Sequence, residues 1–370
     1  MMNQMIFGNL IHRPIRSVIS MVAVALEVML ILLIVGLSLG MLNDSRTRTA
    51  GIGADVIVLP PGSSYIQGVT GAPMPIKIKD VLAKVPHVAS VAPVITQIST
   101  EGALEIIAGI DLKSYESMSG PFHYLAGGPF QGPGDVLIDD VLAKSKHIKV
   151  GDKIEILRAP DPFRVSGIVE SGKGGRKFLE LQVLQDLSGA KDKASVFYLK
   201  LDNPANADEV ASAIKQIPGM ERNNAWSMSY YLSMMTPNNY PGLSTFLHIV
   251  IGIAVVIGFI VIFQAMYTAV MERTREIGIL KSIGASKLYI VNVILRETVA
   301  LAIGGIVLGV LLSLAARAGI VHRIPTVRVI VTGGWILRAA LIAIVGAVLG
   351  ALYPAYRAAQ KDPIEALAYE

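Results

Sequence analysis

Four long apolar runs stand out from a chain that otherwise mixes apolar and polar positions. Val18–Leu42 carries a single charge, Glu27, and Phe246–Val270 contains no Asp, Glu, Lys or Arg. Val299–Ala316 and Trp335–Tyr353 complete the set, the last with Arg338 near its start. A membrane-crossing helix needs about 20 apolar residues. The third run reaches that length through Ile290–Leu295 if Arg296 and Glu297 face protein or snorkel. Four spans are therefore predicted, at 18–42, 246–270, 290–316 and 335–353. The first run exceeds a signal-peptide core, and no small-x-small cleavage site follows it, so it reads as a retained anchor.

The 43–245 segment has a different rhythm. Asp55–Leu59, Val88–Ile98 and Ala103–Ile110 are rich in β-branched residues and read as strands, with a short amphipathic helix at Ile78–Val85. The pattern returns as a strand at Ser195–Leu201 and a helix at Ala207–Ile217. The helix ends also resemble each other, Val85-Pro86-His87-Val88 against Ile217-Pro218-Gly219-Met220. Two related β-α-β halves of a split sheet are expected. Between them, 134–189 holds short strands at Val136–Ile138, Lys153–Leu157 and Phe163–Val169 separated by Gly, Pro and Asp turns, and reads as an inserted small β module. The fold class is an α-helical membrane protein with four transmembrane helices plus an extracytoplasmic α/β domain.

Composition agrees. Of 370 residues, 52% are hydrophobic and only 16% charged, where soluble domains average roughly a quarter charged. The composition argues against an ordinary soluble enzyme and excludes a disordered chain. The absence of cysteine removes disulfides, thiolate metal sites and cysteine nucleophiles. The net charge of +5 is unevenly distributed: 43–245 holds 20 Lys/Arg against 21 Asp/Glu, and the rest holds 13 against 7. The excess flanks the apolar runs, which argues for membrane orientation and against nucleic acid.

Arg13 and Arg16 precede the first span. Arg273, Arg275, Lys281, Lys287 and Arg296 lie between the second and third, and Arg357 and Lys361 follow the fourth. Both termini and the middle segment 271–289 are thus expected in the cytoplasm. The short outer loop 317–334 runs against the rule with Arg317, Arg323 and Arg328, while the large loop 43–245 can translocate largely regardless of its charge.

Several motifs tempt and fail. Gly36-Leu37-Ser38-Leu39-Gly40 matches a nucleophile elbow in letters, but it sits in an apolar helix, where small residues serve close packing. Gly167–Gly174 falls one residue short of a phosphate loop: Gly174 replaces the magnesium-holding hydroxyl, and a hairpin turn is expected there instead. The six histidines are dispersed, so no metal site is assigned. Asp139-Asp140 reads as a solvated turn, so no catalytic residue is assigned either. Glu27 is the intramembrane candidate, either functional or paired with Arg13 or Arg16.

After the second span comes Glu272-Arg273-Thr274-Arg275-Glu276-Ile277-Gly278-Ile279-Leu280-Lys281-Ser282-Ile283-Gly284-Ala285-Ser286. On a helix, Ile279 and Ile283 stack at i, i+4, and Leu280 stands three after Ile277. Gly284-Ala285 breaks the helix, and Ser286 can cap the next one. Such a helix suits a membrane surface or a partner's groove. This string resembles the cytoplasmic signature of the MacB/FtsX-type (type VII) ABC transporter permeases. Tyr353-Pro354-Ala355-Tyr356-Arg357-Ala358-Ala359, followed by Asp362-Pro363-Ile364-Glu365, is similar to that family's closing motif. The 1–17 segment, with Asn9–Ser17, fits its amphipathic leading helix, and 354–370 its cytoplasmic tail. Gly151-Asp152 before Lys153–Leu157 is similar to the small β module of its outer domains.

The resemblance implies a non-catalytic permease subunit of the bacterial inner membrane without its own ATPase domain. It implies a dimer, with itself or a related permease, bound to a separate ABC ATPase subunit that holds ATP and magnesium. This chain then has no cofactor of its own. Mechanotransmission relays ATPase closure to the outer domains, with Glu272, Arg273, Arg275, Glu276, Ile277, Gly278, Lys281 and Gly284 forming the ATPase contact. The implied function is export or extraction of an amphipathic substrate, with a periplasmic adaptor and membrane lipids as further partners. The alternative is an FtsX-like signalling subunit that regulates a cell-wall hydrolase. A membrane-anchored enzyme or receptor with its site in 43–245 is the rival from another class, against which the coupling motif argues.

Overall fold

The computed structural model describes residues 14–64, 71–99, 105–157, 159–240 and 242–360. The chain forms two compact units. One comprises 1–39, 244–322 and 329–370, and the other 40–243 with 323–328. In chain order the elements begin with helix α1 (Pro14–Ala50), strands β1 (Val56–Leu59) and β2 (Met74–Pro75), and α2 (Ile78–Leu82). Next come β3 (Val88–Ser99), β4 (Glu105–Ile110), α3 (Leu112–Ser119), β5 (Tyr124–Gly127), β6 (Asp135–Asp139) and α4 (Asp140–Lys146). Then follow β7 (Lys153–Ile154), β8 (Phe163–Val169), β9 (Lys177–Glu180), α5 (Leu181–Leu187), β10 (Lys193–Ala194) and β11 (Val196–Leu201). The chain continues with α6 (Ala207–Lys215), β12 (Asn224–Ser227), α7 (Met228–Met234) and α8 (Leu243–Glu272). Last are α9 (Thr274–Ser282), α10 (Lys287–Arg323) and α11 (Gly333–Gln360).

Among the described residues, four helices are long and apolar enough to cross a membrane: 17–50 within α1, and α8, α10 and α11. Each overruns its apolar run, because backbone hydrogen bonding continues into polar residues where hydropathy stops. Of the leading helix, 1–13 lie outside the described residues, as does the 362–367 part of the closing motif. In lipid, close packing rather than hydrophobicity holds helices together, so small residues mark the contacts. A Cβ on Gly309 of α10 would come 2.6 Å from the Ala25 carbonyl oxygen and 2.9 Å from Val28 Cβ, both on α1. Gly350 of α11 likewise meets the Phe259 carbonyl of α8. Next to it Phe259, Phe263 and Tyr267 stack along α8, with Tyr353 of α11 6.0 Å from Phe263. Gly36 sits mid-helix, its carbonyl accepting from the Ile330 amide at 2.9 Å, and Ser38 bonds the Ile34 carbonyl. The elbow motif is therefore packing.

The other unit is built on a ten-stranded sheet in the order β12-β1-β11-β3-β4-β9-β6-β8-β5, with β7 on β8. Neighbours among its first four strands are antiparallel, and the four interleave the two expected halves, β1-α2-β3 and β11-α6-β12. This is the split β-α-β arrangement. Strand alternation sorts the side chains: Val56, Val58, Phe197 and Leu199 face α2 and α6. Ile57, Leu59, Val196 and Tyr198 face α3 and α7. The internal resemblance is a shared backbone device, since His87 and Gly219 both turn through positive φ, 69° and 86°, after their helices. His87 tolerates this αL position with its ring nitrogen 3.1 Å from Asp202.

The inserted 134–189 strands are built into the same sheet: β9 pairs parallel with β4, and β6 and β8 continue from it. Two expectations are corrected here. The Gly167–Gly174 segment closes no hairpin, because β6 lies between β8 and β9 and the segment crosses over it. The strand expected at Lys153–Leu157 is also short, ending at Ile154, with Leu157 at φ 51°.

Candidate functional site

The coupling segment begins where α8 ends at Glu272. Arg273 leaves the helical region (φ −106°, ψ 16°), and α9 starts at Thr274, whose hydroxyl donates to the Met271 carbonyl at 2.9 Å. Gly284, at φ +100°, turns the chain after α9, and the Ser286 hydroxyl accepts from the Tyr289 amide at 3.2 Å, capping α10. The break and cap read from the sequence are in place.

The eight carried-over residues divide by face. Glu272, Arg275, Glu276 and Gly284 are exposed. Ile277 and Gly278 are buried with Thr274. Arg273 is turned inward: its guanidinium donates to Glu297 of α10 at 3.0 Å, their side chains 12% and 3% exposed. Lys281 donates to the Ala359 carbonyl of α11 at 3.0 Å. Arg273, Ile277, Gly278 and Lys281 thus contact this chain's own helices, and the outward face lies elsewhere on α9. The predicted apolar stripe divides in the same way. Ile277 and Leu280 line a cleft of about 50 Å³ with Met266, Val270, Ile290 and Ile294. Ile279 and Ile283 face out, Ile283 80% exposed, as does Leu288 at 80%. Sequence reasoning missed Glu297 as the anchor of α9. Its signal was a carboxylate in an apolar run, noted only as facing protein.

Glu27 is 6% exposed, and among the described residues its Oε1 has no hydrogen-bond partner. Its carboxylate lies against Gly258 of α8. The side chains of Arg13 and Arg16 lie outside the described residues, so the expected pairing is not described. Among the described residues, three or more His, Cys, Asp or Glu nowhere gather as a metal site.

The sheet-bearing unit holds a charge cluster that corrects the reading of Asp139-Asp140 as a solvated turn. Asp139 is 1% exposed and caps α4, accepting from the Leu142 amide at 2.7 Å. Arg176 spans Asp139 and Asp44 at 2.9 Å each. Asp44 also takes Arg48 at 3.0 Å and Arg328 at 3.4 Å. Burial pushes the Asp139 carboxyl above the usual carboxylate range, and the Arg176 guanidinium opposes that shift. Asp140 pairs with Lys144 and accepts from the Ser171 amide. Lys173, the lysine of the near-phosphate loop, donates to the carbonyls of Ser119, Gly120 and Pro121 at 2.7–3.1 Å and covers the Phe122 ring. Its donors are occupied, and β9 rather than a helix follows the loop. A phosphate cradle needs free amides and a helix N-terminus, so this loop is structural.

The arrangement defines a multi-pass membrane protein in which one span precedes and three follow a large α/β domain, with a short tethered helix between the second and third spans. The MacB-like periplasmic core domain family matches residues 17–217, and the FtsX-like permease C-terminal family matches 248–363. The chain belongs to the MacB/FtsX-type ABC transporter permeases. It is 24% identical over 401 residues to the "Macrolide export ATP-binding/permease protein MacB" of Bdellovibrio bacteriovorus, covering 98% of this chain and 61% of that one. It is 30% identical over 226 residues to the "Uncharacterized ABC transporter permease YknZ" of Bacillus subtilis, covering 56% and 55%. The chain therefore spans about 60% of the length of the curated relatives it matches. The crystal structure of the periplasmic region of MacB from Actinobacillus actinomycetemcomitans is 15% identical, covers 52% of this chain and 97% of that one, and superposes with a TM-score of 0.38.

Proposed function

We propose that this permease receives ATP-driven motion from a separate ATPase subunit on the outward face of α9 and passes it to its α/β domain, for export or extraction of an amphipathic substrate. The observation that carries this reading is the two-sidedness of α9. Arg273–Glu297 and Lys281–Ala359 tie its inner face to α10 and α11. Its outer face presents Glu272, Arg275 and Glu276 beside the exposed Ile279 and Ile283. A helix anchored on one side and apolar-with-charge on the other fits a partner's groove. The matched relative's name joins ATP binding to a permease, which supports an ATPase as that partner. Within this reading the chain works as a dimer in the inner membrane, with both termini and α9 cytoplasmic as the flanking charges favour, and a periplasmic adaptor completes the path.

Co-purification tests the partner. An ATPase should come down with the chain from membranes of its own source. Ile283→Asp should cost at least tenfold in retained ATPase, and Glu276→Lys should weaken retention in a salt-dependent way, as a rim charge does. Full retention by both variants would remove α9 as the docking element. A cell-wall hydrolase in place of an adaptor would move the function to signalling. Orientation is tested in the native cysteine-free background. A cysteine at Ser63 should react with an impermeant maleimide from outside and one at Ser282 only from inside; the reverse pattern overturns the orientation.

A further inference from the structure

Glu27 is a carboxylate that the proposed function does not use. It lies on α1 amid side chains packed to at most 1% exposure, namely Val24, Ala25, Val28 and Ile31. Gly305 and Gly309 bring α10 against this stretch of α1, and Gly258 makes room for the carboxylate on α8, since a Cβ there would collide with Glu27 Oε2. Oε1 has no hydrogen-bond partner among the described residues.

Among the described residues, no cation is placed to balance a charge at this point. Between Leu243 and Met271, α8 carries no Asp, Glu, Lys or Arg, and its His248 and Tyr267 stand ten and nine residues from Gly258, roughly 14 Å along the axis. On α10, Glu297 and Arg317 each lie eight residues, roughly 12 Å, outside the Gly305–Gly309 contact, and Glu297 is held by Arg273. α11 packs on α8 through Gly350, where the nearest titratable group is Tyr353, stacked on Phe263. Arg338 and Arg357 lie towards the ends of that helix. On α1 itself the nearest charged residue is Arg16, eleven residues back and roughly 16 Å along the axis, and the nearest other carboxylate is Asp44, seventeen residues on.

An ionised carboxylate held in apolar surroundings without a counter-charge is far costlier than the neutral acid. We propose that Glu27 and Gly258 form a proton-binding site within the membrane-spanning unit, occupied while α1 and α8 are packed together. The ligand is a proton, and the chemistry is a reversible O–H bond on the Glu27 carboxylate. Release breaks that O–H bond and hands the proton to water that enters as α1 parts from α8, because the packed contact cannot accommodate the charge left behind.

The test uses the full chain in nanodiscs of neutral phospholipid and does not depend on the ATPase. The infrared difference spectrum between wild type and Glu27→Gln at pH 7 should contain the C=O stretch of a protonated carboxylic acid, shifted in D2O. Gly258→Ala displaces the carboxylate without touching Glu27. That band should then shift or disappear, with helix content unchanged by circular dichroism. A carboxylate band at pH 7 in place of the acid band would overturn the proposal, and so would loss of the acid band on adding sodium, which would make this a metal-cation site. An acid band that Gly258→Ala leaves unaltered would detach the proton from the α1–α8 contact and equally overturn it.

Discussion

Buried charge is handled in opposite ways in the two units. In the sheet-bearing unit, Arg176 sits between Asp44 and Asp139, each contact 2.9 Å, and Asp44 is shared with Arg48 and Arg328. In the membrane-spanning unit Arg273 and Glu297 pair at 3.0 Å, yet Glu27, comparably buried, keeps an oxygen with no partner. A cluster whose members satisfy each other fixes a geometry: it ties the 44–48 turn of α1 to β6 and to the start of β9. A lone carboxylate fixes nothing and carries a cost unless its charge can be removed. Burial alone therefore does not identify a working group; among the described buried carboxylates, it is the missing partner that sets Glu27 apart.

The sharpest way to break that comparison is Arg176→Met. It leaves Asp139 buried without its cation, and removal of one partner from a buried pair costs about 3–5 kcal/mol. Hydrogen exchange of the full chain in micelles should show β6 and β9 opening far more often. The sign of the pH dependence follows from the raised carboxyl of Asp139. A carboxyl whose folded pKa lies above its unfolded value stabilises below the unfolded value and loses that contribution as pH rises through the folded one. Without Arg176 the shift grows. The deficit of the variant should therefore be full near neutrality and narrow on acidification from there towards the ordinary aspartate range, as Asp139 takes up a proton. Adding Asp139→Asn should recover part of the loss at neutral pH. A change below about 1 kcal/mol, flat with pH, would mean that the cluster behaves like an exposed pair.

Little of this contrast was legible in the sequence. The spans were, because an apolar run of bilayer length has few other uses. Their helices were underestimated, since Asn43–Ala50 continues α1 in polar residues that hydropathy cannot see. The split β-α-β halves were visible through Pro86-His87 and Pro218-Gly219, where a local turn repeats. The joining of β9 to β4 was not, because a parallel pairing between strands some 70 residues apart leaves no local mark. The same holds for charge. Asp139-Asp140 looks solvated until Arg176 and Asp44, 132 residues apart, are brought together. In the coupling segment, composition identified the helix but not its faces. Which of its charges look inward depended on Glu297 and Ala359, which lie on other helices.

A smaller effect sharpens the comparison inside the membrane-spanning unit. If Arg273–Glu297 is a satisfied pair of the Arg176 kind, it should act as a tether for α9 rather than as part of the outward surface. Glu297→Gln keeps the shape and one acceptor oxygen while removing the charge, so the expected cost is about 1–2 kcal/mol, the difference between a charged and a neutral hydrogen bond. That corresponds to roughly a five- to thirtyfold rise in the open fraction of α9. It can be read with a cysteine at Ile277, a buried position on the inner face, whose alkylation by a permeant maleimide reports each opening. The comparison is made in the Ile277→Cys background, so the cost of that substitution cancels. The exchange behaviour of β6 and β9 should not move, because distant sites without shared partners are additive. An unchanged alkylation rate would mean that Gly278 and Lys281 hold α9 without the ion pair, and Arg273 would then return to the residues whose contact lies with a partner.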